Sequence, residues 1–455
     1  TGNILLNGVN ITDGTGVPTV GALIPRIYYR KGAGSYFSNA GTLASGTSTN
    51  GTWNFTILAA DMGGLAAADV VSYYVIAQDN VGNIGSNAGG AVATDVNNVT
   101  THPVTPNSVT IGASLSGTYT VGAGGDYATL TAAVTAYNAA CLAGPVVFSL
   151  TDAVYAGETY PITINQVFGT SAVNTLTIRP AAGVNASFTT SAASMIKLNG
   201  ADWVIIDGSN NGTNSRNLSF INTIATASAV IWNASLGGGG NGATNNTFKN
   251  LIITGGSGTV SGIYGIVSSS TAAIATGGED NDNVRIENNA ISKVYNGISN
   301  LGLATNNALL ADGLVITQNV IGDASSANYV TNRGIEINGA SGASITQNTI
   351  FNIITPTTAS NAATGIDLGT NVVGGEVLRN NISVVYNPNT GGWNAYGIHF
   401  SSTVNLIGVL VANNFISDIK TVNYINTSSF NAFGIRFSGG LDHKIYNNSI
   451  NMFGD

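Results

Sequence analysis

Four polar residues occupy the same place in a repeated phrase and could together do acid–base chemistry. The phrase is Gly-Ile-x-(Ile/Leu/Phe), and its variable position is filled in turn by Glu336, Asp367, His399 and Arg436. Two carboxylates held close together repel, which raises the pKa of one and provides a general acid beside a base or nucleophile. A neighbouring histidine and arginine could move a proton and hold an acidic sugar. These residue types are those of polysaccharide cleavage.

A second repeated phrase indicates how such residues would be brought together. It ends in Asn-x-Ile or a close variant, and copies lie at 284–291, 314–321, 344–350, 377–382, 409–416 and 443–450. A period of about 30 residues is typical of stacked repeat proteins. Both phrases are short, alternating and β-branched, which indicates strands. A leucine-rich repeat would need a Leu consensus and a helix in each repeat, and neither is present. The repeat therefore predicts an all-β, right-handed parallel β-helix.

In such a solenoid, equivalent residues of successive turns lie about 4.8 Å apart. Asparagines aligned in this way could hydrogen-bond from turn to turn and could adopt the left-handed backbone of a tight corner. The glycines of the first phrase fit the next corner, where a Cβ would clash. The predicted asparagine ladder comprises Asn250, Asn289, Asn319, Asn348, Asn380, Asn414 and Asn448.

The same geometry would line up the four polar residues on one outer face, because they alternate with inward apolar residues. A purely structural explanation competes with catalysis. An outward position must be polar, and alternating charges on neighbouring strands relieve repulsion. The sequence also lacks an Asn-Thr-Asp, an Asp-Asp or a Gly-His-Gly motif. We therefore expect the column of Glu336, Asp367, His399 and Arg436 to be non-catalytic.

Composition restricts the partners of the protein. With 14 basic and 22 acidic residues the net charge is −8, so nucleic acid is not expected to bind. No apolar run approaches the length of a transmembrane helix. The densest acidic stretch contains Asp280 and Asp282, whose carboxylates could ligate Ca²⁺. Because the stretch lacks the twelve-residue calcium-loop pattern, we expect no metal and no other cofactor.

The repeats do not cover the whole chain, so we predict two domains. Residues 1–90 show separate short strands and predict a β-sandwich, and 91–117 read as a linker. The segment 118–455 is the β-helix, in which 127–140 has helical spacing and predicts an N-terminal cap. The chain ends inside a repeat. We therefore expect the solenoid to continue beyond 455.

Two motifs resemble known families. Tyr73-Tyr74, followed by Ala77, Asp79 and Gly82-Asn83, resembles the immunoglobulin-like or fibronectin type III-like modules of bacterial surface proteins. The run 124–134 followed by 144–148 looks like the opening segment of the pectate lyase and pectin methylesterase superfamily. Its continuation to 180 is similar to large Bacteroidota surface proteins that the type IX route secretes. The resemblance implies a β-helix outside the cell and leaves the chemistry open, because the superfamily contains both enzymes and adhesins.

These observations lead to one functional expectation and two alternatives. We expect a non-catalytic segment of an extracellular adhesin or structural surface protein, whose solenoid is a rigid rod that binds glycans or other cell-surface proteins. The first alternative is a polysaccharide-degrading enzyme, a pectin-type lyase or hydrolase, that uses Glu336 and Asp367. The second is a filament or surface-layer subunit that associates with itself.

Overall fold

The chain forms two compact units, 1–114 and 115–455, in a computed structural model that describes residues 2–303, 307–422 and 431–452. Strands dominate both units. Within the described residues the only α-helix is Leu130–Asn138, accompanied by short 3₁₀ turns at Ala59–Met62, Asn307–Leu309 and Ser326–Asn328. No described helix has the length and apolarity needed to cross a membrane. The predicted continuation of the solenoid past 455 lies outside the described residues.

The first unit consists of antiparallel sheets around a shared apolar core. Ile27, Trp53, Phe55 and Val71 are almost completely buried in that core, and they come from both larger sheets. A three-stranded sheet has the order Ile4–Thr12, Asn50–Ile57, Thr42–Gly46, and a five-stranded sheet has the order Asn107–Thr110, Val70–Gln78, Arg26–Lys31, Phe37–Ala40, with Ile84–Ser86 also paired to Val70–Gln78. Val92–Asp95 and Asn98–Thr101 form a two-stranded ribbon.

The segment 91–117, for which the sequence predicts a linker, is part of this folded unit as far as residue 114. Val96 is fully buried, and its N–H donates to Gln78 Oε1 at 3.0 Å. Asn107–Thr110 pairs with the central strand Val70–Gln78. The strands here have only four residues each, which is too short for their alternation to stand out from a polar Thr- and Asn-rich stretch.

The second unit is a parallel β-solenoid of about ten turns, as the repeats predict. Each turn contributes a strand to each of three sheets, which we label A, B and C in chain order. Sheet A contains Ala113–Val121, Ala140–Leu150, Leu176–Pro180, Val204–Asp207, Thr247–Lys249, Arg285–Glu287, Val315–Thr317, Ser344–Thr346, Glu376–Leu378, Leu410–Ala412 and Lys444–Tyr446. Sheet B contains Val154–Tyr155, Ala186–Thr190, Leu218–Asn222, Leu251–Thr254, Ala290–Ser292, Val320–Ile321, Thr349–Ile354, Asn381–Asn387, Phe415–Thr421 and Ser449–Asn451. Sheet C contains Ile162–Asn165, Ser194–Asn199, Ser228–Ser235, Ile263–Ser270, Asn296–Leu301, Arg333–Asn338, Ala363–Leu368, Ala395–Phe400 and Ala432–Phe437. A small sheet joins Ala311–Asp312, Ala340–Ser341 and Val372–Val373.

The core of the solenoid is built from equivalent apolar residues that stack on one another in successive turns. Ile286, Ile316, Ile345 and Val377 pair in register along sheet A and are all buried. Sheets B and C contribute equivalent buried columns, so one apolar core runs through the unit. Burial of each side chain adds roughly 1.5–3 kcal/mol to the free energy of unfolding.

The helix Leu130–Asn138 packs against the first strands of the solenoid core. It is shorter than the predicted 127–140 because Thr129 caps it: the Thr129 hydroxyl accepts a hydrogen bond from the Ala132 N–H at 3.1 Å. The Glu158 carboxylate accepts from the N–H groups of Leu130 and Thr131 at 2.7 and 2.6 Å. These bonds satisfy N–H groups that a helix leaves free at its start.

An asparagine ladder occupies the corner between sheets A and B. In each turn the side-chain Nδ2 donates to the Oδ1 of the next asparagine at 2.9–3.0 Å, and that Oδ1 also accepts from the backbone N–H of the donor residue. Nδ2 also donates to a backbone carbonyl. The ladder comprises Asn289, Asn319, Asn348, Asn380, Asn414 and Asn448. Polar backbone groups at this buried corner are thereby satisfied.

Two details of the predicted ladder are wrong. Asn250 lies one position too early, because Leu251 aligns with Asn289 and Asn250 instead accepts from Asn288 Nδ2 at 2.8 Å. The left-handed residue is the one before each ladder asparagine, with φ between 50° and 59° at Asn250, Asn288, Gln318, Gln347, Arg379, Asn413 and Asn447. The glycines of the Gly-Ile phrase do not form the next corner, as predicted, but lie inside the strands of sheet C. They are required there because a Cβ on Gly365 would be 2.5 Å from the Gly397 carbonyl oxygen.

We predict that Asn380→Ala lowers the free energy of unfolding by at least about 3 kcal/mol, because several buried donors and acceptors on neighbouring turns lose their partner. Denaturant unfolding followed by circular dichroism measures the change. The matched control is Asn381→Ala, one residue further on, where the side chain is exposed. Equal effects of the two substitutions would contradict a stabilising role for the ladder.

Candidate functional site

The variable position of the Gly-Ile-x phrase forms one outward-facing column on sheet C. Ser299, Glu336, Asp367, His399 and Arg436 pair in register on successive strands. The structure therefore brings together all four residues singled out from the sequence. Neighbouring members of the column are separated by one strand spacing, about 4.8 Å.

A second outward column, which was not predicted from the sequence, lies three residues earlier on the same strands. Asn296, Arg333, Thr364 and Tyr396 pair in register, and Tyr264 pairs with Asn296. In regular alternation, positions i and i+3 face opposite sides of a sheet. The glycine between the columns breaks that alternation. Arg333 directly precedes Gly334-Ile335 in the sequence, so the position could have been noticed. The strict inward–outward alternation of a strand, however, places Arg333 on the opposite face from Glu336.

The two columns form the floor of a cleft of about 470 Å³. The face is therefore not flat. Loop residues, including Asn361 and Ala362, contribute a wall, and Ser401 lies at one end. The side chains most relevant to chemistry are Tyr264, Tyr295, Arg333, Glu336, Asp367 and His399.

Arg333 links the two carboxylates of the cleft. Its Nε donates to Asp367 Oδ2 at 2.7 Å, and its Nη1 lies 3.5 Å from Glu336 Oε1. Burial alone would lower the pKa of Arg333, but the charges of Asp367 and Glu336 outweigh it and the pKa is raised. One guanidinium thus neutralises two neighbouring carboxylates only in part.

Asp367 is held as an ionised carboxylate although it is only 4% exposed. Burial by itself would raise its pKa, but the neighbouring His399 and the charge of Arg333 lower it below its ordinary value. The His399 Nδ1 lies 3.3 Å from Asp367 Oδ1, but the two atoms are not aligned for a hydrogen bond. Asp367 Oδ2 is therefore hydrogen-bonded to Arg333, whereas Oδ1 only lies close to the imidazole.

Glu336 has the opposite behaviour. Its Oε2 accepts from Asn296 Nδ2 and from Ser299 Oγ, both at 3.0 Å. Burial raises its pKa, Arg333 opposes that effect, and the nearby charge of Asp367 adds to it, so the net pKa is above the ordinary value. The two carboxylates are thus driven apart in pKa, and Glu336 is the one that can carry a proton.

His399 and Arg436 are directed away from Glu336. The His399 ring stacks on Tyr396 with centroids 4.0 Å apart, and its Nε2 lies 3.0 Å from the Oγ of Ser438. Arg436 Nη1 donates to the Tyr396 hydroxyl at 2.9 Å, and its guanidinium lies over the Phe433 ring. Arg333, rather than Arg436, is the arginine that contacts the carboxylates.

The acidic stretch around Asp280 and Asp282 organises backbone groups. Asp280 Oδ2 accepts from the Gly240 N–H at 2.6 Å, and Asp282 Oδ1 accepts from the Asp312 N–H at 2.8 Å. Glu279 accepts from the N–H groups of Gly238 and Gly239. In the described part of the chain no three His, Cys, Asp or Glu residues are grouped so that they could hold a metal ion. The expectation that no metal binds at Asp280 and Asp282 stays a prediction.

Comparison with known proteins found no matching family model, no matching curated protein and no matching solved structure. What the cleft can do is therefore argued from its own geometry and charges.

We predict that Arg333→Met lowers the free energy of unfolding by about 3 kcal/mol at pH 7, because it leaves two largely buried carboxylates without their shared cation. The loss should be smaller at pH 5. Without Arg333 the pKa of Glu336 and of Asp367 rises, so both take up protons as the pH falls and the repulsion disappears. Denaturant unfolding at the two pH values measures this difference.

The control for that substitution is Arg285→Met, which breaks the more exposed ion pair with Glu287. It should change the free energy of unfolding by less than about 1 kcal/mol at either pH. A loss in Arg333→Met that is as large at pH 5 as at pH 7 would contradict the assignment of Arg333 as the shared partner.

Proposed function

We propose that the solenoid binds a neutral polysaccharide in the cleft over Glu336 and Asp367. The observation that carries the proposal is the mixture of groups along one polar cleft: the partly exposed Tyr295 ring and Asn361 amide, with Tyr264 and Asn296 buried beneath them. Sugar rings offer an apolar C–H face to an aromatic ring and a rim of hydroxyls to amides and carboxylates. A concave site with a few fixed polar groups is the usual form of a ligand site.

The length of the cleft suits a chain-like ligand. From the strand of Tyr264 to the strand of His399 there are four strand spacings, about 19 Å. Each turn along this path contributes a polar or aromatic side chain to the cleft, so a polymer would meet side chains of the protein at successive positions.

The charge of the lining favours a neutral ligand over an acidic one. Asp367 is ionised, Glu336 adds charge when it loses its proton, and Arg333 is already engaged by both carboxylates. A polyuronate would place further carboxylates against this site and would be repelled. This differs from the acidic sugar that the sequence suggests.

The resemblance of 118–180 to secreted Bacteroidota surface proteins supports an extracellular setting for this activity. We propose that the solenoid is the glycan-binding rod of a surface adhesin or structural protein, and that 1–114 folds as an immunoglobulin-like β-sandwich. Self-association into a filament or layer stays an alternative prediction.

The glycosidase alternative has a specific observation in its favour, the opposite pKa shifts of Glu336 and Asp367. A general acid and a nucleophile are made in this way. Against it, Asp367 is almost inaccessible, and its Oδ2 is already bound by Arg333. A nucleophilic attack by Asp367 would require the side chain to leave this buried position. Binding is therefore the function that the geometry supports best.

We predict that Ala362→Trp abolishes retention on a neutral polysaccharide, because the indole would fill the cleft from its wall. Affinity electrophoresis of the intact chain in gels containing neutral or acidic glycans measures retention. The wild-type chain should be retarded by at least one neutral glycan and less by polyuronates.

The matched control is Ala182→Trp, at an exposed turn of the same solenoid away from the cleft. It should bind as the wild type does. Failure of the wild-type chain to bind any glycan, or equal loss in both variants, would contradict the proposal.

A further inference from the structure

Three side chains, of which Asp367 and His399 line the cleft and Ser438 follows on the next turn, are arranged in the order of a Ser-His-Asp triad. Asp367 Oδ1 lies 3.3 Å from His399 Nδ1, and His399 Nε2 lies 3.0 Å from Ser438 Oγ. They come from three successive turns: Asp367 and His399 are in the outward column, and Ser438 follows the strand Ala432–Phe437. Asp367 is buried, the His399 side chain is 14% exposed, and Ser438 is exposed.

The contacts specify a role for each group. The charge of the Asp367 carboxylate, 3.3 Å from His399 Nδ1, favours the imidazole tautomer that carries its proton on Nδ1. The lone pair of Nε2 then faces the Ser438 hydroxyl and can take its proton. The ring of Tyr396, stacked against His399, keeps the imidazole in this orientation.

The surroundings of Asp367 suit a carboxylate that orients a base. Its second oxygen is bound by Arg333 at 2.7 Å, which keeps it charged, and its pKa is lowered. The same contacts that weigh against Asp367 as a nucleophile are those expected of the buried member of a Ser-His-Asp arrangement.

Backbone donors are available next to the serine. Within the described residues, the N–H groups of Gly439 and Gly440 make no hydrogen bond to another protein group. Gly440 has φ of 99°, in the left-handed region. N–H groups of this kind would stabilise the oxyanion formed in acyl transfer if they face the oxygen of an ester bound at Ser438.

We propose that Asp367, His399 and Ser438 form a serine acyl-hydrolase site that removes O-acyl esters, such as acetyl groups, from the glycan in the cleft. This rests on the proposed function, which supplies the ligand. Ser401 lies at the cleft end, one residue after Phe400, and Phe400 pairs with Phe437 just before Ser438. An ester on a bound sugar would thus come within reach of Ser438 at this end.

The reaction balances without any further reagent except water. Ser438 Oγ attacks the ester carbonyl carbon while its proton passes to His399 Nε2, and the carbonyl oxygen becomes an oxyanion. The intermediate breaks its C–O bond to the sugar, and the leaving sugar hydroxyl takes the proton from His399. Water then attacks the acyl-serine with His399 as base, and a carboxylic acid and free Ser438 are released.

The test uses the intact chain with p-nitrophenyl acetate and with an acetylated neutral polysaccharide, and measures nitrophenolate and acetate. A fluorophosphonate probe with mass spectrometry identifies the labelled serine. We expect wild-type turnover, a label on Ser438, and at least a hundredfold loss of turnover in Ser438→Ala. Asp367→Asn should lose a similar factor, because the imidazole would then adopt the wrong tautomer. Ser219→Ala, on an outward position of sheet B, is the control and should react as the wild type does.

The outcomes separate this inference from the proposed function. If the wild type binds a glycan but hydrolyses neither ester and leaves Ser438 unlabelled, the acyl-hydrolase inference is overturned and glycan binding stands. Turnover that persists undiminished in Ser438→Ala overturns it as well. Turnover of p-nitrophenyl acetate without retention on any glycan would support the serine site and overturn the proposed function.

Discussion

The structure of the solenoid depends on one constraint: each strand must pair in register with the strand one turn before it. Parallel pairing fixes equivalent residues about 4.8 Å apart, so every position of the repeat becomes a column. Apolar columns such as Ile286, Ile316 and Ile345 then make the core. The asparagine ladder strengthens the same register, because its side chains bond only when successive turns are aligned.

The same constraint creates the site. A column cannot keep its polar residues apart, so Glu336 and Asp367 are forced onto adjacent strands. Arg333 offsets the repulsion by contacting both carboxylates, and His399 lies close to Asp367. The result is a buried charged cluster with opposite pKa shifts at its two carboxylates. Stacking also places His399 Nε2 3.0 Å from Ser438 Oγ, so the register sets the proposed serine site beside the proposed glycan cleft.

The period of the repeats was enough to predict the solenoid and the column of Glu336, Asp367, His399 and Arg436. The prediction failed where a single backbone detail decides the outcome. Asn250 was misaligned by one residue, because Asn-Leu-Ile at 250–252 has the same Asn-x-Ile pattern as Asn-Ala-Ile at 289–291. Arg333 was missed because Gly334 interrupts the alternation and turns position i+3 to the same side. Ser438 lies in no recognisable sequence motif. It becomes a candidate nucleophile only because the fold brings it close to His399.

The central claim is that the stacked polar columns of sheet C form a glycan-binding cleft. A crystal structure of the chain soaked with a neutral oligosaccharide tests it most directly. The account predicts sugar density along sheet C between Tyr264 and Ser401, with hydroxyls on Glu336 and Asn361. Sugar density on another face of the solenoid, with this cleft empty, would contradict it.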